Sequence, residues 1–134
     1  MATFTDEQRK LFEDKNLVTV ATLGKDGTPR NTAIWVDIDG DDILLNGAAS
    51  RKWLVNLQRN PHVALSVYDL KNPFQQVNVI GVVESITAEG GEEHIDKLSH
   101  KYSGRDYPDH RPNDPRMLAR VKATKVTGTV GRTR

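Results

Sequence analysis

Apolar and polar positions follow two rhythms along this chain. From Leu17 to Leu23 the run Leu-Val-Thr-Val-Ala-Thr-Leu alternates and is rich in β-branched residues, as a half-buried strand requires. Gly24-Lys-Asp-Gly27 supplies a hairpin turn, and a second strand is predicted from about Arg30 to Ile38. Asp39-Gly40-Asp41 turns the chain into a third strand, Ile43 to Asn46, so the first three strands read as a meander. Val63 to Tyr68 reads as a fourth, with Pro73 breaking the chain after it. The fifth runs from Gln76 to about Ile86, and Gly81 in its middle marks a bulge or a close backbone approach. The sixth, Met117 to about Val130, sets Met117, Ala119, Val121 and Ala123 on one face and Arg120 and Lys122 on the other.

The slower rhythm occurs three times. Thr5 and Gln8 have the spacing of a capping box, which predicts a helix over about Asp6 to Lys15 with Leu11 and Phe12 as its apolar stripe. Ser50 can cap a short helix from Arg51 to about Arg59, whose inward side is Trp53, Leu54 and Leu57. A third helix covers roughly Glu92 to Tyr102, with Gly104 as its C-terminal stop. Arg105 to Pro115, which holds three Pro, is a surface loop. Six strands with about three short helices inserted predict a β-dominated fold, a small antiparallel barrel closed or nearly so.

The chain has 134 residues, 37% hydrophobic and 28% charged, which predicts one domain over 1–134 with an ordinary core. No apolar run approaches the roughly 20 residues of a membrane helix, and the N-terminus lacks the apolar stretch of a signal peptide. A soluble, cytoplasmic protein is the expectation. Zero Cys excludes disulfides, zinc ribbons, thiol nucleophiles and iron–sulfur clusters. Nineteen Lys and Arg against eighteen Asp and Glu, net charge +1, argue against a nucleic-acid binder. After Asp114 no acid appears, yet Arg116, Arg120, Lys122, Lys125, Arg132 and Arg134 do; their alternation fits a strand with one wet basic face better than a nucleic-acid arm.

The strongest local chemistry is Ser50-Arg51-Lys52 at a predicted helix N-terminus. Unpaired N–H groups, a hydroxyl and two cations would converge there on a phosphate; a plain Ser cap followed by two solvated cations is the simpler alternative. No G-x-G-x-x-G and no P-loop motif appears. His94 and His100 fall on opposite faces of one helix, His62 and His110 have no carboxylate partner in sequence, and all four read as ordinary surface histidines. The acids from Asp37 to Asp42 lack calcium-loop spacing. Trp35 either walls a planar ligand or fills core. No acid–base pair is evident, and an enzyme without one can still act if a bound cofactor carries the reacting atom.

Several short runs, in their order and spacing, resemble the flavin/deazaflavin oxidoreductase superfamily, the split β-barrel group that includes pyridoxamine phosphate oxidase, and within it the branch using the deazaflavin coenzyme F420. They are Ala21-Thr22-Leu23 with Asp26-Gly27-Thr28-Pro29, Thr32 and Trp35 before Asp39-Gly40, Asn46, Arg51, and Asn56-Leu57-Gln58-Arg59-Asn60-Pro61-His62-Val63-Ala64-Leu65. Asn72-Pro73-Phe74, Gly81-Val82-Val83 and His94-Ile95-Asp96-Lys97-Leu98 with Tyr102 continue the likeness, which spans about Leu17 to Val126. The resemblance implies a six-stranded antiparallel split barrel forming a homodimer with cofactor at the interface. It implies Thr32 and Ile34 beside the ring, Asn46 and Ser50 beside the chain, Arg51 and Lys52 on the phosphate, and Phe74, Gln76 and Asn78 supplied by the partner. It further implies an F420-dependent oxidoreductase passing hydride to an unsaturated small-molecule substrate. The alternatives are an FMN-binding oxidoreductase or a non-catalytic binder of a flavin or tetrapyrrole. Two positions depart from the family pattern: Trp53 stands where Lys is common, and Arg30 where Gln is common, which adds Arg30 to the cofactor groove.

Overall fold

The structure, a computed structural model, describes residues 2–131. Helix α1 (Asp6–Glu13) opens as expected: the Thr5 side chain accepts from the Gln8 N–H, and the Gln8 side chain accepts from the Thr5 N–H. Leu11 and Phe12 anchor it. Strands β1 (Val18–Leu23), β2 (Pro29–Ile34), β3 (Asp37–Asp39) and β4 (Asp42–Ala48) follow, then α2 (Lys52–Arg59), β5 (His62–Asp69), β6 (Asn72–Thr87), α3 (Gly91–Ser103) and β7 (Arg116–Gly128). The strands form one antiparallel sheet in the order β2-β1-β5-β6-β7-β4-β3.

That order corrects two expectations. There are seven strands, not six, and the first three do not form a meander. The segment expected as one strand from Arg30 to Ile38 is cut at Trp35 and Val36: β2 lies on one edge of the sheet and β3 on the other. The sheet is therefore not closed by hydrogen bonds. Its two edges are joined by the chain itself, across Trp35 and Val36. The cause is side chains from α3. The Val36 N–H donates to the Tyr102 hydroxyl (3.2 Å), and its carbonyl accepts from Lys101 Nζ (2.8 Å). With the Val36 groups satisfied from a helix, the backbone can leave one ladder and start another without leaving that residue unpaired.

Inside the sheet lies one apolar cluster, built from Val18, Val20, Ile43, Leu45, Leu65, Val79 and Val121 with Phe12 of α1 and Trp53, Leu54 and Leu57 of α2. β7 buries Ala119, Val121 and Ala123 as its alternation predicts. The register of β6 against β7 shifts at Ile80/Gly81, where a Cβ on Gly81 would lie 2.8 Å from the Lys122 carbonyl oxygen. Pro73 does not end a strand; it sits at the start of β6, where a missing N–H is tolerated. Gly104 closes α3 with φ +76°, the left-handed conformation that glycine adopts freely. Arg132 and Arg134 of the basic tail lie outside the described residues. Among the described residues no helix is long and apolar enough to cross a membrane.

Candidate functional site

One cavity lies between the end of β2 and the start of α2, and a second, which shares part of its wall, lies between the start of α2 and the 105–116 segment. The first, about 410 Å³, has aromatic walls from Trp35, Trp53 and Tyr107, apolar sides from Leu17, Ile34 and Ile95, and a polar part made by Thr32, Asn46, Arg51 and Arg116. Its lining holds no carboxylate and no imidazole. The second, about 390 Å³, is polar: Ser50, Arg51, Lys52, Arg111 and Arg116 line it with Asp109 and Asp114. Arg51, Tyr107 and Arg116 belong to both. A third hollow of about 790 Å³, between the β1–β2 turn and α2, carries Lys25, Arg30, Lys52 and Arg59 around Val55 and Asn56.

The sequence-derived residues divide accordingly. Thr32, Ile34, Asn46 and Arg51 meet in the aromatic cavity; Ser50, Arg51 and Lys52 meet in the polar one; Arg30 joins Lys52 in the third. Phe74, Gln76 and Asn78 lie on β6 and line none of the three. Asn78 is engaged with the Ser66 hydroxyl at 2.7 Å.

Ser50 is not the helix cap. Arg51 takes the N-cap position in extended conformation with no side-chain cap bond. The Ser50 hydroxyl donates instead to Asp114 (2.5 Å), whose other oxygen accepts the Ser50 N–H (2.9 Å). Arg51 and Lys52 are exposed, and their side chains make no hydrogen bond or ion pair among the described residues; the Arg51 backbone donates to the Ala48 carbonyl and accepts from the Val55 N–H. Trp53 is in the core, 4% exposed, which is possible because position 47 is glycine: a Cβ there would lie 2.6 Å from its ring. Trp35 is not part of the apolar core cluster. It is half-buried, stacks on Tyr102 (5.0 Å between centroids, 4° between planes), meets Tyr107 edge-on, and still lines the cavity.

Sequence reasoning missed the groups behind the cavity. Arg116, 9% exposed, donates from Nε to Asn46 Oδ1 (2.9 Å). The Asn46 amide nitrogen can only donate, and gives one hydrogen to the Gly91 carbonyl (2.9 Å) and one to His94 Nδ1 (3.1 Å). His94 Nε2–H then faces Asp37 (3.1 Å), which also receives Lys97 Nζ and the Ile38 N–H. Burial alone would raise the Asp37 pKa; hydrogen bonds from His94, Lys97 and Ile38 outweigh it and hold the carboxyl well below its ordinary value. His94 is thus a buried structural link, not a surface histidine. His110 also departs from expectation. It sits between Glu92 Oε1 (2.5 Å) and Asp96 Oδ1 (2.9 Å), and those contacts, the Glu92 bond foremost, raise its pKa. The two carboxylates hold the 105–115 loop as well, Glu92 through the Arg116 N–H and Asp96 through the Tyr107 N–H. Among the described residues no group of three or more His, Asp or Glu side chains is arranged for a metal ion.

A family model described as pyridoxamine 5'-phosphate oxidase matches residues 4–129. Among solved structures, one named F420 reductase is similar over 92% of this chain and 98% of its own, with 28% identity and a TM-score of 0.83. A conserved hypothetical protein of Mycobacterium tuberculosis is similar over 94% of this chain and 84% of its own (24% identity, TM-score 0.73). HupZ of Group A Streptococcus, 17% identical over 98% of both chains with TM-score 0.73, shares the fold. No curated protein sequence matches the chain.

Proposed function

The chain belongs to the pyridoxamine 5'-phosphate oxidase family, and from that premise we propose that it is an oxidoreductase working through a bound deazaflavin, coenzyme F420, on an unsaturated small molecule. The observation that carries this reading is the junction of an aromatic-walled cavity with a cationic one through the shared Arg51. A planar ring needs flat apolar walls with few polar contacts, and a phosphate needs cations free to receive it. The Arg51 and Lys52 side chains have no competing partner among the described residues, so the donor set fits a flavin-type group with an anionic tail. Likeness to a structure named F420 reductase favours the deazaflavin; the family description keeps FMN as the alternative.

In this reading Arg51 and Lys52 grip the phosphate, with Arg30 beyond them. Thr32 and Ile34 border the ring, and Asn46 and Ser50 the chain. Trp35, Tyr107 and Leu17 exclude water from the reacting face. The cofactor, once bound, supplies or accepts hydride, so the absence of carboxylate and imidazole from the cavity lining is no obstacle. Phe74, Gln76 and Asn78 act only if a second copy of the chain brings its β6 across the opening, which makes a homodimer part of the proposal.

Titration of purified protein with F420 and with FMN, followed by quenching of each cofactor's fluorescence, tests it. Micromolar binding of F420 and weaker binding of FMN is the expected result; the reverse order transfers the assignment to FMN, and binding of neither overturns it. Arg51→Ala should cost about 1.5–3 kcal/mol of cofactor affinity, because hydrogen bonds assisted by charge are the strong ones. Unchanged affinity in that variant removes Arg51 from the phosphate site.

A further inference from the structure

Arg116 is the one charged group that lines both the aromatic and the polar cavity while being nine-tenths buried. Its orientation is fixed from three sides. Nε is held by Asn46, Asn46 is held by Gly91 and His94, and the guanidinium lies over the Tyr107 ring at 4.9 Å. Nη1 and Nη2 have no acceptor among the described residues. Every sealed side-chain nitrogen or oxygen there does have a partner, so these two nitrogens open onto cavity space. The neighbouring acids are engaged elsewhere: Asp114 with Ser50, Asp109 with Arg111 (2.9 Å), Glu92 with His110. Burial disfavours the charge on Arg116, and no carboxylate among the described residues makes contact with the guanidinium to offset that cost.

A guanidinium locked at Nε, covered on one face and open at its far edge presents two parallel N–H donors, the arrangement that receives a carboxylate end-on. We propose that Arg116 is the substrate-recognition residue, and that the substrate is a small planar organic acid whose carboxylate seats on Nη1 and Nη2 while its unsaturated body lies among Trp35, Tyr107 and Ile34. This rests on the function proposed above and names its substrate class. The exposed Arg51 and Lys52 are left to the cofactor's phosphate; the buried arginine serves the smaller, drier oxyanion.

Cofactor-free protein offers a direct test, because Trp35 and Trp53 both line the cavity and report its occupancy by fluorescence. The probes are trans-cinnamate, its neutral counterpart cinnamamide, and inorganic phosphate. Cinnamate should bind at least about tenfold more tightly than cinnamamide. Arg116→Met should abolish that preference while F420 and FMN affinities stay within about threefold, and Arg51→Ala should do the opposite. If Arg116→Met does not fold by circular dichroism, Arg116→Lys decides. That side chain keeps the charge but loses the two-point hold, so cinnamate should weaken; affinity equal to that of the arginine protein overturns the proposal. Equal binding of acid and amide overturns it too, and leaves the cofactor reading intact if F420 or FMN still binds. Loss of cofactor binding in Arg116→Met with cinnamate unaffected overturns it in favour of the cofactor's phosphate. A protein that prefers cinnamate through Arg116 yet binds neither cofactor supports the recognition site and sinks the redox reading.

Discussion

Arg51 and Arg116 look into the same cavity from opposite circumstances. Arg51 caps α2 on the surface, exposed and with no bond from its side chain among the described residues. Arg116 begins β7 in the interior, and behind it a relay of Asn46, His94 and Asp37 leaves hardly a polar atom without a partner. The difference teaches how one fold obtains two kinds of positive charge. An exposed cation is cheap, mobile and screened by salt, suited to a large anion that arrives with its own hydration. A buried one requires a supporting scaffold, and in return acts at short range in a low dielectric with a fixed direction.

The largest test of that contrast lies in the scaffold. Asn46→Ala would strip a partner from Arg116 Nε, His94 Nδ1 and the Gly91 carbonyl at once, and should destabilise the protein by about 3 kcal/mol in urea unfolding. A cost below about 1 kcal/mol would mean that water replaces the relay and that Arg116 is not held as described. Next comes Tyr102→Phe. The hydroxyl donates to the Asn16 carbonyl (2.5 Å) and accepts from Val36, so its loss should cost about 1–2 kcal/mol by the same measurement and loosen the stack on Trp35, seen as a shift in tryptophan emission. On the surface side, Arg30→Gln and Lys52→Gln should each leave stability within about 0.5 kcal/mol, while lowering cofactor affinity less than Arg51→Ala does. A large stability loss in either would break the distinction between the two sides.

The smallest effect is local and depends on pH. The His110 pKa is raised in the folded protein above its ordinary 6.5 by Glu92 and Asp96. The contribution is therefore fully present below 6.5 and fades as pH climbs through the raised value, since neutral imidazole donates only one N–H. Amide-exchange protection at Tyr107 and Arg116, corrected for intrinsic exchange, should fall across that window, whereas Val79 in the core should not change. The 105–115 loop would then loosen while the barrel stays intact.

What the sequence disclosed follows the range of the interactions. The Thr5–Gln8 box, the Gly104 stop and the bulge at Gly81 were legible because their causes lie within a few residues, or in the one residue type that tolerates a close backbone. The division at Trp35 and Val36 was not legible, since the groups that satisfy Val36 come from Lys101 and Tyr102 far along the chain. The burial of His94 and the carboxylate partners of His110 were missed for the same reason, while His62 and His100 are exposed as expected. His94 meets Asn46 and Asp37 only after α3 docks on the sheet, and His110 finds Glu92 and Asp96 only once its loop folds back. For the site, the resemblance named Thr32, Ile34, Asn46, Arg51 and Lys52, which line cavities that share walls, together with Phe74, Gln76 and Asn78, which line none of them. Arg116 carried no local sign; in sequence it was one more base in an acid-free tail.

The crossing at Trp35 and Val36 also constrains what the architecture can tolerate. Insertion of a single residue there would have to be absorbed by a bulge at the crossing or by a slip of one of the two edge strands, and a strand slipped by one residue turns every side chain to its opposite face. A slip of β2 would move Thr32 and Ile34; a slip of β3 would move the Asp37 anchor. The 105–115 segment belongs to no strand, so a change of length there leaves the sheet register alone and acts instead on the contacts of Tyr107, His110 and Asp114.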